Sequence, residues 1–123
     1  MRKLFVAVLI AAMTVNESAY AHAQLVASSP KAKSVVTIWP KTIWVDFDGN
    51  LINLGSQQVN QLVVKDSQGK LIPLGKSLIS GSKFEIATPK TPKPGKITVS
   101  WRVVSGDGHP VSSSLMFYYF PKK

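Results

Sequence analysis

The chain has 123 residues, a formal net charge of +9 and no cysteine, with 45% hydrophobic and 17% charged residues. That balance suits a folded domain, and the lack of cysteine excludes both a disulfide framework and a thiolate metal site. The positive charge favours encounter with anionic surfaces, yet the lysines are scattered from Lys31 to Lys123 with no stripe interleaved with aromatics, so no nucleic-acid partner is expected.

The first segment reads as a secretory leader. Arg2 and Lys3 supply a positive start, residues 4–15 an apolar stretch too short to span a bilayer, and Ala19-Tyr20-Ala21 a small-x-small cleavage pattern. A signal peptide of residues 1–21 is therefore expected, followed by one domain of residues 22–123. A second match, Ala21-His22-Ala23, would instead expose Gln24. No later run is apolar enough for a transmembrane segment, so none is expected after cleavage.

Beyond the leader, apolar residues recur every second position. Ile43, Val45 and Phe47 alternate with Trp44, Asp46 and Asp48, and Ile97, Val99, Trp101 and Val103 alternate with Thr98, Ser100, Arg102 and Val104. Turn signals stand between such runs at Ser29-Pro30, Asp48-Gly49-Asn50, Ser67-Gln68-Gly69, Ser80-Gly81-Ser82, the stretch 89–95, and Gly106-Asp107-Gly108. The pattern predicts strands near 24–28, 34–38, 42–48, 58–66, 69–74, 82–87, 96–105 and 111–120, with no helix, repeat or interdomain linker. Several short strands with regular turns predict an all-β fold, a Greek-key β-sandwich or barrel. The aromatic residues, Trp39, Trp44, Trp101 and Phe117 to Phe120 among them, are expected to pack the core.

The chain has only two histidines, His22 and His109. Cleavage after Ala21 makes His22 the first residue of the mature protein, where its α-amine and imidazole chelate one ion together. Asp107 and His109 are two apart; in an extended segment their side chains lean to one side, with Gly108 adding no bulk and Pro110 restricting His109. Amine, two imidazoles and a carboxylate form an N,O set that suits the tetragonal preference of Cu(II), which binds such donors more strongly than zinc does. The competing readings are a plain turn at Asp-Gly-His and an N-terminal histidine with no role.

The stretch His22-Ala23-Gln24-Leu25-Val26-Ala27-Ser28-Ser29-Pro30 resembles the mature N-terminus of the CopC family of periplasmic copper-resistance proteins. Trp101-Arg102-Val103-Val104-Ser105-Gly106-Asp107-Gly108-His109-Pro110-Val111-Ser112 is similar to its most distinctive C-terminal motif, and 66–75 to its Gly-Lys turn running into Pro-Leu-Gly. The resemblance implies a Greek-key β domain that binds one Cu(II) ion in the periplasm through His22, Asp107 and His109, without enzymatic activity. It also implies an inner-membrane partner of the CopD type.

Three departures from the family pattern stand out. Beyond the leader only Met116 remains of the methionines, so the soft thioether set of a Cu(I) site is not expected. Asp48 stands near the place of a glutamate common in the family, which leaves its role open, and Lys33 and Ser113 occupy positions where glycine is usual and turns are expected. Two alternatives remain at this point. An N-terminal histidine paired with a second one on a β-sandwich also resembles the centre of copper monooxygenases, although Asp107 would fill the position that oxygen needs. The other is a metal-free extracellular assembly module. No nucleophile elbow or phosphate-cradling glycine loop is present.

Overall fold

Alternation of buried and exposed residues dictates the layers. In the computed structural model, which describes residues 23–55 and 57–123, eight strands run in chain order: β1 (Leu25–Ser29), β2 (Val35–Val36), β3 (Thr42–Phe47), β4 (Gln61–Lys65), β5 (Ser77–Ser80), β6 (Lys83–Ala87), β7 (Gly95–Val104) and β8 (Pro110–Tyr119). They form two four-stranded sheets, ordered β1-β3-β6-β5 and β2-β8-β7-β4. The predicted leader and His22 lie outside the described residues. Among the described residues there is no helix, and so none that could cross a membrane.

The period-two patterns land as expected. Ile43, Val45 and Phe47 of β3 are buried and face Ile97, Val99, Trp101 and Val103 of β7 across the sandwich, with Phe84 of β6 and Phe117 of β8 completing the core. Burial of this set supplies the main driving force for folding, about 1.5–3 kcal/mol for each large apolar side chain. Phe47 meets Trp101 edge-on, ring centroids 5.9 Å apart, and Trp39 packs against Phe117 at 6.0 Å and Tyr119 at 5.4 Å. The aromatic residues do not all go inward: Trp44 lies on the outer face with the Lys83 ammonium 4.3 Å from its ring, and Phe120 is exposed.

Four expectations need correction. The predicted strand at 69–74 is a loop touching β4 by one bridge, Lys65 to Leu71, and by the Ile72 N–H on the Val64 carbonyl at 2.8 Å. The Asp66 carboxylate there accepts the Gln68 and Lys70 N–H groups, both at 2.9 Å, which bends the chain, and Pro73 lacks the donor a strand needs. The strand β5 was not expected, because an edge strand with one face in water carries only Leu78 and Ile79; its register is set by the turn at Gly81, whose φ is 62°. The run at 34–38 shortens to β2, since Ile38 points into solvent, 82% exposed. Of the two glycine-like positions, Lys33 does adopt a left-handed backbone, φ 68°, whereas Ser113 lies within β8 opposite Trp101 and not in a turn.

Candidate metal centre

The β7–β8 hairpin carries Asp107 and His109 in its connection. β7 and β8 pair without a slip from Gly95–Tyr119 to Val104–Pro110, so the register delivers residues 105–109 as a loop at one end of the sandwich. Three backbone bonds close it: Ser105 N–H to the His109 carbonyl at 3.0 Å, Gly108 N–H to the Ser105 carbonyl at 2.8 Å, and Gly106 N–H to the Asn50 carbonyl at 2.9 Å. Gly108 has φ 89°, a conformation that side-chain-bearing residues rarely adopt. Asp107 and His109 do come together, but through this tight turn and not along the extended segment that the sequence suggested.

The pair is close in space and open to solvent. His109 Nδ1 lies 3.2 Å from Asp107 Oδ2, and both side chains reach solvent, 61% and 39% exposed. Two donors held about 2 Å from one ion in adjacent positions are about 3 Å apart, so this separation is close to what a shared metal requires. The buried Ser105 hydroxyl donates to Asp107 Oδ1, and the His109 N–H points at the same oxygen from 3.3 Å. These bonds, the Ser105 one foremost, pull the Asp107 carboxyl down from 3.8 to about 2, so that it is an anion at every ordinary pH.

The support beneath the loop was missed in the sequence. Asn60, buried, donates its amide to the Ile52 carbonyl at 2.7 Å and accepts the Val104 N–H at 2.8 Å, pinning the segment after β3 to the residue that precedes Ser105. A lone Asn between Val59 and Gln61 gives no signal of this. Ser105 could have been found, because a hydroxyl two residues before an Asp in a glycine turn is placed for a local hydrogen bond.

The other side of the site is reached through β1. Asp48 accepts the Gln24 N–H at 2.9 Å and returns its own N–H to the Gln24 carbonyl at 2.8 Å. Asp48 is therefore a clasp on the N-terminal segment. Ala23 is buried, 3% exposed, in a cleft of about 440 Å³ that Trp101, Phe47 and Val111 also line. The residue after His22 thus lines one cavity with the start of β8, where Val111 stands two positions beyond His109. Among the described residues no three side chains of metal-binding type gather, and Asp107 with His109 are what the structure brings together.

A CopC-domain model matches residues 25–119, a span that includes Asp107 and His109 and begins after His22. The chain belongs to the CopC family. It is 35% identical over 116 residues to copper resistance protein C of Xanthomonas campestris pv. juglandis, covering 89% of each chain. The likeness to copper resistance protein C of Pseudomonas syringae pv. tomato is 34% over 122 residues and 94% of each. The crystal structure of CopC from Methylosinus trichosporium OB3b superposes with a TM-score of 0.71 at 28% identity, over 83% of this chain and 97% of that one. PcoC of Escherichia coli, described as a methionine-rich copper resistance protein, shares the fold with a TM-score of 0.67 at 23% identity, over 80% and 99%. CopC is a family of copper-resistance proteins and not of enzymes, which bears out the non-enzymatic expectation against the monooxygenase alternative.

Proposed function

We propose that this CopC-family protein captures one Cu(II) ion in the periplasm, using the α-amine and imidazole of His22, the Asp107 carboxylate and the His109 imidazole, and so sequesters or carries copper. The observation that supports it most is the Asp107–His109 pair, two donors at 3.2 Å with the carboxylate held in place by the Ser105 hydroxyl. Hard and borderline donors favour the oxidised ion, and beyond the leader the sequence offers one thioether, so little stabilisation of Cu(I) follows. Acid weakens capture because the amine and imidazoles must shed protons to coordinate; the Asp107 carboxylate retains its charge far below that. Ala23 favours cleavage after Ala21, since a cut after Ala23 would strip a buried residue from the cleft. Onward delivery to an inner-membrane protein of the CopD type is the step this reading implies.

The test begins with intact mass and N-terminal sequencing of the exported protein, which should start at His22. Electron paramagnetic resonance of the copper-loaded protein should then show tetragonal Cu(II) with nitrogen ligands. Chelator competition should show Asp107→Asn binding at least ~10-fold more weakly, the loss that even an outer hydrogen-bonding partner of a metal site brings. A mature chain that starts at Gln24, or unchanged affinity in the variant, would overturn the assignment.

A further inference from the structure

One edge of the sandwich is left open beside the candidate centre. β2 covers only the end of β8, pairing Val35 with Tyr118 and Val36 with Tyr119. Its neighbours add the Lys33 N–H to the Met116 carbonyl, the Tyr118 N–H to the Ser34 carbonyl and the Phe120 N–H to the Val36 carbonyl. The even-numbered residues of β8 therefore direct their backbone groups toward β2. The odd-numbered ones face β7, as the Ser105 N–H on the His109 carbonyl continues to show. By the two-residue period of a strand, Ser112 and Ser114 present N–H and C=O groups outward where β2 has ended. Among the described residues no strand pairs with that stretch.

The space beside this edge is a groove between β8 and β1, the edge strand of the other sheet. Two cavities of about 440 and 470 Å³ follow it and share Leu25 and Ser114 in their walls. The floor is apolar, with Phe47, Trp101, Val111 and Leu115, and Leu25 of β1 forms the wall common to both. Charge is one-sided: Lys33 and Lys96 line the second cavity, and no Asp or Glu lines either among the described residues. Lys96 sits opposite Tyr118, on the outer face of the sheet.

We infer that this edge binds an extended segment of a partner protein by strand addition, with apolar side chains entering the groove and alternate acidic side chains facing Lys96 and Lys33. Main-chain bonds to Ser112 and Ser114 supply the affinity, and the period of two sorts the side chains between floor and lysines. A second copy of this chain fits poorly, because edge-to-edge pairing would bring the lysines of both copies together over a short edge. Lipid cannot satisfy the exposed backbone groups. The inference stands apart from copper binding, although the segment would run past His109.

The probe is a capped Glu-Val-Glu-Val-Glu-Val peptide added to the mature protein without copper, with amide exchange read residue by residue by NMR. Ser112 and Ser114 amides should exchange about tenfold more slowly with the peptide at about ten times its Kd. The Lys-Val counterpart should give no protection. Ser114→Pro removes an outward N–H without touching the β7 ladder, so it should abolish protection and keep the thermal midpoint. The double change Lys33→Glu with Lys96→Glu should reverse the preference toward the lysine peptide, which keeps the test decisive if the proline variant does not fold. Absent protection, equal binding of both peptides, an unaltered preference in the double variant, or protection that grows with protein concentration alone would each overturn the inference, the last in favour of a second copy.

Discussion

Ser105 lowers the pKa of Asp107. Its hydroxyl is buried with the carboxylate as its acceptor, so the charged form gains a hydrogen bond that the protonated form would lose. Because the folded-state pKa is lowered to about 2 from 3.8, the ionised Asp107 contributes stability above pH about 4, and that contribution fades as pH falls toward 2. Acid unfolding of the protein beside Asp107→Asn should show a stability difference that is constant above that window and shrinks within it. Ser105→Ala should return the carboxyl toward its ordinary value, visible by NMR titration of the side chain. Copper affinity should drop by about 10–100-fold in the same variant, as for other partners that orient a metal ligand. Asp107 and His109 were legible in the sequence because a glycine-flanked Asp-x-His is a compact signal. The Ser105 hydroxyl was legible in the same way, two residues before the Asp, whereas the Asn60 anchor under the loop left no local signal.

At the scale of elements, connections do more than strands to place the site. Asn60 joins the segment after β3 to the end of β7 by two bonds, and Asn60→Ala would leave the half-buried Val104 N–H and Ile52 carbonyl without partners. A loss of about 1–3 kcal/mol in denaturant unfolding is expected, together with a looser 105–109 loop. Lys33 is a different case. A left-handed backbone at φ 68° costs a side-chain-bearing residue about 1–2 kcal/mol, against about 0.5–1 kcal/mol of chain entropy for glycine. Lys33→Gly should therefore stabilise by about 0.5–1 kcal/mol, a rise of roughly 2–8 °C in Tm. The strands β3 and β7 were readable because half of each is buried on one face and half is wet, whereas β5 and the 69–74 loop were exchanged. Leu71 and Ile72 look like strand residues, but the Asp66 turn and Pro73 spoil the ladder, while Leu78 and Ile79 are recruited only by the hairpin with β6.

At the scale of the molecule, the core is independent of the ion. Phe84, Phe117, Val45, Val64 and Val99 are sealed between the sheets by packing alone, so the copper-free protein should unfold cooperatively, unlike small domains that need a metal to fold. Copper binding then adds stability by mass action: at free copper about 100-fold above Kd, about 2.7 kcal/mol. That is a rise of about 10–20 °C in Tm for a domain of this size, of which Asp107→Asn, at about tenfold weaker binding, should lose about half. The sequence by itself determined the two-residue period, the absence of thiol chemistry, the Asp-x-His signal and the family likeness, because each is carried by neighbouring residues. Tertiary structure alone decided that Asp48 clasps Gln24, that Asn60 anchors the loop, and that β8 keeps an open edge beside β1. Those outcomes depend on which distant segments become neighbours once the sheets stack, and hydrogen bonds across 24 to 44 residues of chain leave no local trace.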